Sequence, residues 1–339
     1  MQILLINSQS NGFGRLSKIQ KQKNIIQNIH RIKPLKKQRI QEMEKFDLHL
    51  HSDNSDGSAS VKELVDIVIK AGIKIFSLTD HDTVEGIKEV EQSYKQLSPI
   101  NKKGVKKVKK LIPDGFKFIN GVELTCKVDN IKCHILGYGV NTEAKELTEL
   151  IETGKKLRRQ KLETRIKYLK DVWNIELTKD ELDWLYSRKS VVKTHLANIL
   201  VNRGLSDNNV DAMKKYLDEC KTGNTKFDGR TAINVIKSSG GIPVWAHPLG
   251  GEGEEHLTEK EFLPQLKTMI ESGIQGLECY YSRYSLKEVE FLIKCAKENN
   301  LLISGGSDWH GTNKTVPLGR LNTEDIFVGT SKATILNVL

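Results

Sequence analysis

The sequence predicts an α/β protein, a parallel sheet or barrel interrupted by one helical block. Three observations lead there. Short β-type runs alternate with helical patterns before and after the middle of the chain. From about Glu143 to Phe227 the text is charged and helical, with no convincing strand. Histidines and carboxylates recur where the predicted strands end.

Taken in order, Phe46–His51 reads as a strand that closes on a histidine pair. Val61–Ala71 carries Val61, Leu64, Val65, Val68 and Ile69 at helical spacing, and Gly72 follows as a stop. Ile73–Thr79 is the second strand and Val84–Leu97 the second helix. Phe118–Leu124 and Ile131–Tyr138 are strands joined through the turn-type pair Asp129-Asn130. In the helical block, Glu149–Trp173 is dense in Lys, Arg and Glu around one apolar stripe, which suits a solvated helix. Alternation then resumes with helix Thr231–Ser239, strand Ile242–Ala246, helix Glu259–Ser272, strand Gly276–Tyr280, helix Leu286–Asn299 and strand Leu301–Ser304. The expected organisation is a basic extension over 1–45, a barrel from 46–142 and 229–339, and an α-helical insertion over 143–228. No internal repeat is evident.

Bulk composition, 38% hydrophobic and 28% charged, is that of an ordinary globular chain. No apolar run approaches the ~18–20 residues of a membrane span. Met1–Asn7 is too short for a secretory core and no cleavage-like site follows, so a cytoplasmic location is expected. The five cysteines, Cys126, Cys133, Cys220, Cys279 and Cys295, include no CxxC pair, which argues against a disulfide framework or a thiolate zinc site. The formal charge of +10 is unevenly placed: residues 1–45 hold ten Lys/Arg against Glu42 and Glu44, and Lys102–Lys110 adds six lysines. The rest is mildly acidic. Such basic runs suit either contact with RNA or a solvated flexible segment.

Five segments carry the chemistry. His49-Leu50-His51 closes the first strand, Thr79-Asp80-His81-Asp82 the second, and Gly121-Val122-Glu123 the third. His247-Pro248 follows Val244-Trp245-Ala246, and Ser307-Asp308-Trp309-His310 follows the last strand. In a β/α barrel the carboxyl ends of strands share one face, so these distant residues can meet. Imidazole and carboxylate without sulfur suit hard or borderline divalent cations. Alternation puts His49 and His51 on one side of their strand, and a carboxylate such as Glu123 can bridge two ions. That geometry suits phosphate-ester hydrolysis, in which ions activate a water and neutralise the charge developing on the phosphoryl group. No Gly-rich phosphate loop is present. Outside this set, His30 and His256 read as solvent-exposed. Asp56 is preferred over Asp53 because Gly57 allows a tight turn. Asp80 and Asp82 suit the support of an imidazole, with a helix N-cap as the competing role for Asp82. Tyr280 and Tyr281 suit base stacking or core packing equally, and Arg158 and Arg159 suit a solvated helix face better than the alternative, reach to a phosphate.

The HxH, TDHD, GVE, AHP and SDxH series, in this order, resembles the PHP (polymerase and histidinol phosphatase) family. It is most similar to the stand-alone phosphoesterases that dephosphorylate nucleoside 3′,5′-bisphosphates and trim short RNA from the 5′ end. The resemblance runs from Phe46 to Arg320 and leaves residues 1–45 uncovered. It implies a distorted (β/α)7 TIM-like barrel with an α-helical insertion, and two or three divalent ions, manganese first, with iron or zinc as alternatives. By position, His49, His51, Glu123 and Asp308 would hold one ion. Glu123, His134 and His247 would hold a second, and Asp56, His81 and His310 a third. Glu123, Asp308 and His310 would be catalytic. Where the family has Arg-Gly-His near the phosphate, this chain has Lys193-Thr194-His195. Lys193 and His195 are thus the substrate-binding candidates, Lys193 acting as a point charge rather than a bidentate fork. The expected activity is hydrolysis of nucleotide phosphate esters. The alternatives are a phosphatase of a small metabolite such as histidinol phosphate, and a non-catalytic nucleic-acid-binding module.

Overall fold

Strand β1 (Lys45–Leu50) alternates apolar Phe46, Leu48 and Leu50 with polar Asp47 and His49, yet all five are buried. A half-solvated strand would expose one of those sets, so both faces of this sheet are covered. The computed structural model describes residues 44–95, 112–223 and 226–339. The basic extension and the Lys102–Lys110 run therefore lie outside the described residues, apart from positions 44 and 45. Helix α1 (Val61–Lys70) starts in a Ser60/Glu63 capping box and buries Val61, Leu64, Val65 and Val68 against the sheet. Strand β2 (Ile73–Leu78) and helix α2 (Glu85–Lys95) complete the next unit.

β3 (Lys117–Val128) runs four residues past its expected end, because β4 (Ile131–Tyr138) pairs with it from Gly121↔Tyr138 to Val128↔Ile131. The long hairpin carries Glu123 and His134 on adjacent strands. Four helices follow: α3 (Lys145–Trp173), α4 (Lys179–Ser187), α5 (Lys193–Asn202) and α6 (Asn209–Tyr216). They share an apolar cluster of their own, with Leu162, Leu169, Leu185, Leu196, Leu200 and Tyr216 among its members. The block was expected to hold no strand, but its end does. Phe227–Asp228 (β5) returns the chain to the hairpin by pairing Phe227 with Cys126. Two residues carry no periodicity to read. The remaining elements are α7 (Gly229–Ser238), β6 (Ile242–Trp245), α8 (Glu259–Glu271), β7 (Gly276–Tyr281), α9 (Leu286–Glu298) and β8 (Leu302–Gly306).

Seven strands lie in the order β1-β2-β3-β4-β6-β7-β8, with β5 attached to β3. All neighbours are parallel except β4, which is antiparallel to both β3 and β6. No strand ladder closes β8 onto β1. Two bonds beyond the strands join them instead: the Asp308 N–H donates to the His49 carbonyl (2.9 Å) and the His51 N–H to the Trp309 carbonyl (3.0 Å). The seam of this distorted barrel is thus formed by the segments that bear its chemistry. The main core, which includes Cys279 and Cys295, fills the barrel and the space beneath its helices, and all five cysteines are free. Among the described residues no helix is long and apolar enough to cross a membrane.

Candidate metal centre

Glu123 sits fully buried at the middle of the cluster, and its two oxygens face different imidazoles. Oε2 lies 3.2 Å from His49 Nε2, 3.1 Å from His51 Nε2 and 3.0 Å from His81 Nδ1. Oε1 lies 3.1 Å from His134 Nδ1 and 3.3 Å from His247 Nε2. Asp308 Oδ1 approaches the same edge of His49 (3.5 Å) and His51 (3.3 Å). Asp56 Oδ1 is 3.0 Å from His310 Nε2 and 3.7 Å from His51 Nδ1, while Oδ2 is 3.8 Å from His81 Nε2. All nine residues proposed as ligands are therefore brought into one pocket. Their donor atoms form overlapping groups in which every atom lies within 4.8 Å of the others: His49/His51/Glu123/Asp308, His51/Asp56/His81/His310 and His81/Glu123/His134. A fourth group, His134/His247/Glu254, includes a carboxylate the sequence reading did not select.

The donor chemistry fits cations. Six of these atoms, His49 Nε2, His51 Nε2, His81 Nδ1, His310 Nε2, Asp56 Oδ1 and Glu123 Oε2, are buried and lack hydrogen-bond geometry toward any partner. Buried polar atoms rarely go unsatisfied, and cations shared among them would satisfy them. The outer nitrogens agree. His49 Nδ1 is 2.9 Å from Glu278 Oε1, His310 Nδ1 is 2.7 Å from the Asp308 carbonyl, and His247 Nδ1 is 3.2 Å from Glu254 Oε2. With the proton on that outer nitrogen, each of these imidazoles can present Nε2 inward as a ligand. Burial opposes charge on Glu123, Asp56 and Asp308, but the surrounding imidazoles (and Lys314 beside Asp308) hold all three well below the ordinary carboxylate range. Burial likewise disfavours the His49 imidazolium, yet Glu278, Glu123 and Asp308 raise its pKa well above the usual value. The pocket is anionic enough to demand positive charge.

The backbone is bent to serve it. Asp308 (φ 59°) and His247 (φ 27°) are non-glycine residues in the left-handed region, which costs roughly 1–3 kcal/mol each. Their amides are tied to the His49 carbonyl and to Glu278 Oε2 (2.7 Å) respectively. Gly306 permits the seam, since a Cβ there would lie 2.2 Å from His49 Cβ. Gly57 acts similarly beside Asp56: its Cβ would meet the His51 carbonyl at 2.2 Å. Close approach, rather than a special turn angle, is what requires this glycine.

Several side chains do something other than expected. Arg158 is buried, not solvated. Its guanidinium pairs with Asp82 (Nε to Oδ2, 2.7 Å), and Thr125 Oγ1 accepts from it at 3.1 Å. Asp82 accepts from Arg158 and the Thr125 amide, so it neither caps α2 nor holds an imidazole. Asp80 receives Ser52 and Ser55 and shapes the turn before Asp56. Tyr280 and Tyr281 are both buried, and the Tyr281 hydroxyl donates to Asp308 Oδ2 (3.1 Å) instead of facing a base. His256 is exposed and pairs with Glu288. His195 is buried, with Nδ1 accepting the Val192 amide (3.1 Å), and Lys193 pairs with Asp218 (2.6 Å).

The residues that sequence reading missed are Glu278, Glu254 and Lys314. Glu278 did carry a signal: a carboxylate inside the apolar strand GLECYY must have a partner. Lys314, whose ammonium lies 2.9 Å from Asp308 Oδ2, carried none, since only the fold of the loop after β8 brings it there.

Comparison with known proteins agrees with this geometry. The PHP domain model matches residues 47–228, more than half of the chain. A 5′-3′ exoribonuclease from Haemophilus influenzae is 30% identical over 81% of this chain and 93% of its own length. A 3′,5′-nucleoside bisphosphate phosphatase from Chromobacterium violaceum is 25% identical over 79% of this chain and 88% of its own. A solved structure from Bifidobacterium adolescentis, described as a candidate metal-dependent phosphoesterase, superposes with a TM-score of 0.66 at 22% identity. It covers 83% of this chain and 94% of its own, and so shares the fold. With nine metal-ligand-type side chains converging at the seam of a distorted barrel and a family model matching across the hairpin that supplies Glu123 and His134, this chain belongs to the PHP domain family.

Proposed function

We propose that this chain is a phosphoesterase that uses divalent metal ions to hydrolyse phosphate esters of nucleotides. Nucleoside 3′,5′-bisphosphates are the primary substrates, and the same site trims short RNA from its 5′ end. The observation that carries this reading is the division of Glu123 between two sets of imidazoles, amid buried donor atoms without hydrogen-bond partners among the described residues. The names of the relatives supply the substrate class. His49, His51, Glu123 and Asp308 would hold one ion, Glu123, His134 and His247 a second, and Asp56, His81 and His310 a third, with manganese as the expected metal. Such ions, when bound, neutralise charge on a transferring phosphoryl group and acidify water.

The chain's own residues orient this centre. Lys314 and Tyr281 occupy Asp308 Oδ2 and leave Oδ1 directed at His49 and His51. Asp47 accepts from the amides of Ser307 and Gly319, both at 2.9 Å, and from the Ser307 hydroxyl, fixing the turn that carries Asp308 and His310. Glu278 anchors His49 and the His247 amide together. His195 is kept neutral, its pKa lowered to about 4 chiefly by burial, and it caps the start of α5 beside the Asp56 loop, where it would meet substrate. Lys193, at 33% side-chain exposure, can exchange Asp218 for a phosphate.

Phosphate release from a nucleoside 3′,5′-bisphosphate, AMP and histidinol phosphate, each measured with Mn²⁺ and with chelator, tests the reading. Turnover of the bisphosphate that chelator abolishes is expected. Absence of metal-dependent turnover, or a higher specificity constant on histidinol phosphate, overturns it.

A further inference from the structure

A second feature lies beside the metal centre. The middle of α3 and the segment 188–191 line a cavity of about 490 Å³. Of its eight lining residues, six are cations: Lys155, Lys156, Arg158, Arg159, Arg188 and Lys189. No carboxylate lines it. Lys155 and Arg158 have partners in Glu152 and Asp82, but Lys156, Arg159, Arg188 and Lys189 make no ion pair among the described residues, so the cluster favours a visiting anion. Burial and the nearby Arg158, Lys226 and Arg165 lower the pKa of Lys161, on the same helix, to about 7.

Aromatic rings are interleaved with these cations. The Arg159 guanidinium lies 4.2 Å from the centre of the Tyr186 ring, and Arg188 lies 5.2 Å from that of Trp184. Both rings are exposed, Tyr186 at 40% and Trp184 at 37%. Arginine–aromatic pairs open to solvent offer flat faces to bases and positive charge to phosphates, the combination that binds single strands irrespective of sequence.

Hydrogen bonds tie the wall of the cavity to the metal centre. The Ser190 amide, on its floor, donates to the Asn54 carbonyl at 3.1 Å, two residues from Asp56. Arg158, in its wall, holds Asp82, whose amide donates to the Glu123 carbonyl at 2.9 Å. A chain whose terminal phosphate reached the metal centre would find its following nucleotides beside this groove.

We propose that the groove between α3 and residues 188–191 is a track for a single-stranded oligonucleotide, seating backbone phosphates on Lys156, Arg159 and Lys189 and stacking a base on Tyr186 at its rim. The inference deepens the phosphoesterase reading by assigning the part of the molecule that favours an oligomer over a mononucleotide. It rests on that reading for its direction along the strand.

Two measurements on the full-length chain test it. In the first, anisotropy of a 3′-labelled, 5′-phosphorylated oligoribonucleotide of about eight nucleotides is followed in chelator, where no turnover interferes. Kd is expected to rise about tenfold in Lys189→Glu and in Arg159→Glu, and about fivefold or more in Tyr186→Ala. Removing one cation as Lys189→Gln should lower the slope of log K against log salt by about 0.7. Competition by polyphosphate, a polyanion without bases, should weaken in the charge variants and stay the same in Tyr186→Ala. Wild-type affinity in all three variants overturns the track, and equal loss of polyphosphate binding in Tyr186→Ala overturns the stacking role. In the second, the ratio of kcat/KM for the oligonucleotide to that for the bisphosphate should fall about tenfold in Lys189→Glu. An unchanged ratio refutes the track. If the wild type hydrolyses neither substrate, the phosphoesterase reading fails, and the binding measurement still decides the groove.

Discussion

Glu278 is a carboxylate that touches none of the facing nitrogens of the cluster, yet it reaches two of the residues that supply them. Fully buried on β7, it accepts from His49 Nδ1 at 2.9 Å and from the His247 amide at 2.7 Å. Replacing it with glutamine preserves shape but halves the acceptors. One carbonyl oxygen cannot serve both donors, and the amide NH₂ then faces an N–H. If the oxygen stays with the His247 amide, the relief available to His49 is to move its proton to Nε2, the nitrogen directed at Glu123 and Asp308. That proton would occupy the position of a cation. Loss of one charge-assisted bond is worth ~1.5–3 kcal/mol, and removing such a partner of a metal-binding histidine lowers metal affinity about 10- to 100-fold. Equilibrium dialysis of Glu278→Gln against Mn²⁺, with circular dichroism to verify the fold, should show a loss in that range, with activity partly recovered at high Mn²⁺. A folded variant with Kd within twofold of wild type would refute the tautomer argument.

Two further outcomes follow from the same coordinates. His195 has its pKa lowered from 6.5 to about 4, mainly by burial, and its Nδ1 is already an acceptor for the Val192 amide. Its neutral form is the native one, so unfolding takes up a proton between those values, and the stability present above pH 6.5 is lost as pH falls toward about 4. The loss amounts to about 3 kcal/mol, so urea unfolding at pH 7 and 4.5 should show a markedly smaller acid penalty in His195→Gln than in the wild type; equal penalties would contradict the assignment. Gly306→Ala places a Cβ 2.2 Å from His49 Cβ and 2.4 Å from its amide nitrogen. It should destabilise the protein by about 1–3 kcal/mol and weaken metal binding, and a variant with wild-type Tm and metal affinity would show that the seam is looser than described.

The strand and helix order was legible because period-2 and period-3.6 patterns are local properties of the text, and capping residues such as Ser60 and Thr258 stand beside the helices they start. Most of the nine donor residues could be named for a related reason. His49, His51, His81, His247, Asp308 and His310 lie at or near strand ends, which the carboxyl-end face of a β/α barrel gathers wherever they fall in sequence; Glu123 proves to sit inside the long hairpin, and Asp56 and His134 are implied only by the family resemblance. What sequence left open were pairings across the fold. That Arg158 is buried on Asp82, 76 residues earlier in the chain, depends on α3 lying against Thr125 of the hairpin. That Glu278 spans His49 and His247 depends on β7 lying next to β6, which leads into His247, with only β8 between it and the His49 strand across the seam. Helical spacing cannot distinguish a solvated arginine from one turned inward, since the stripe is the same and only the packing partner differs. The sequence by itself therefore determined the elements and the kinds of atoms that would meet. The tertiary structure decided which nitrogen carries each proton, which charges are neutralised from within and which stay open to a ligand, because those depend on ångström-scale distances between residues that no local pattern encodes.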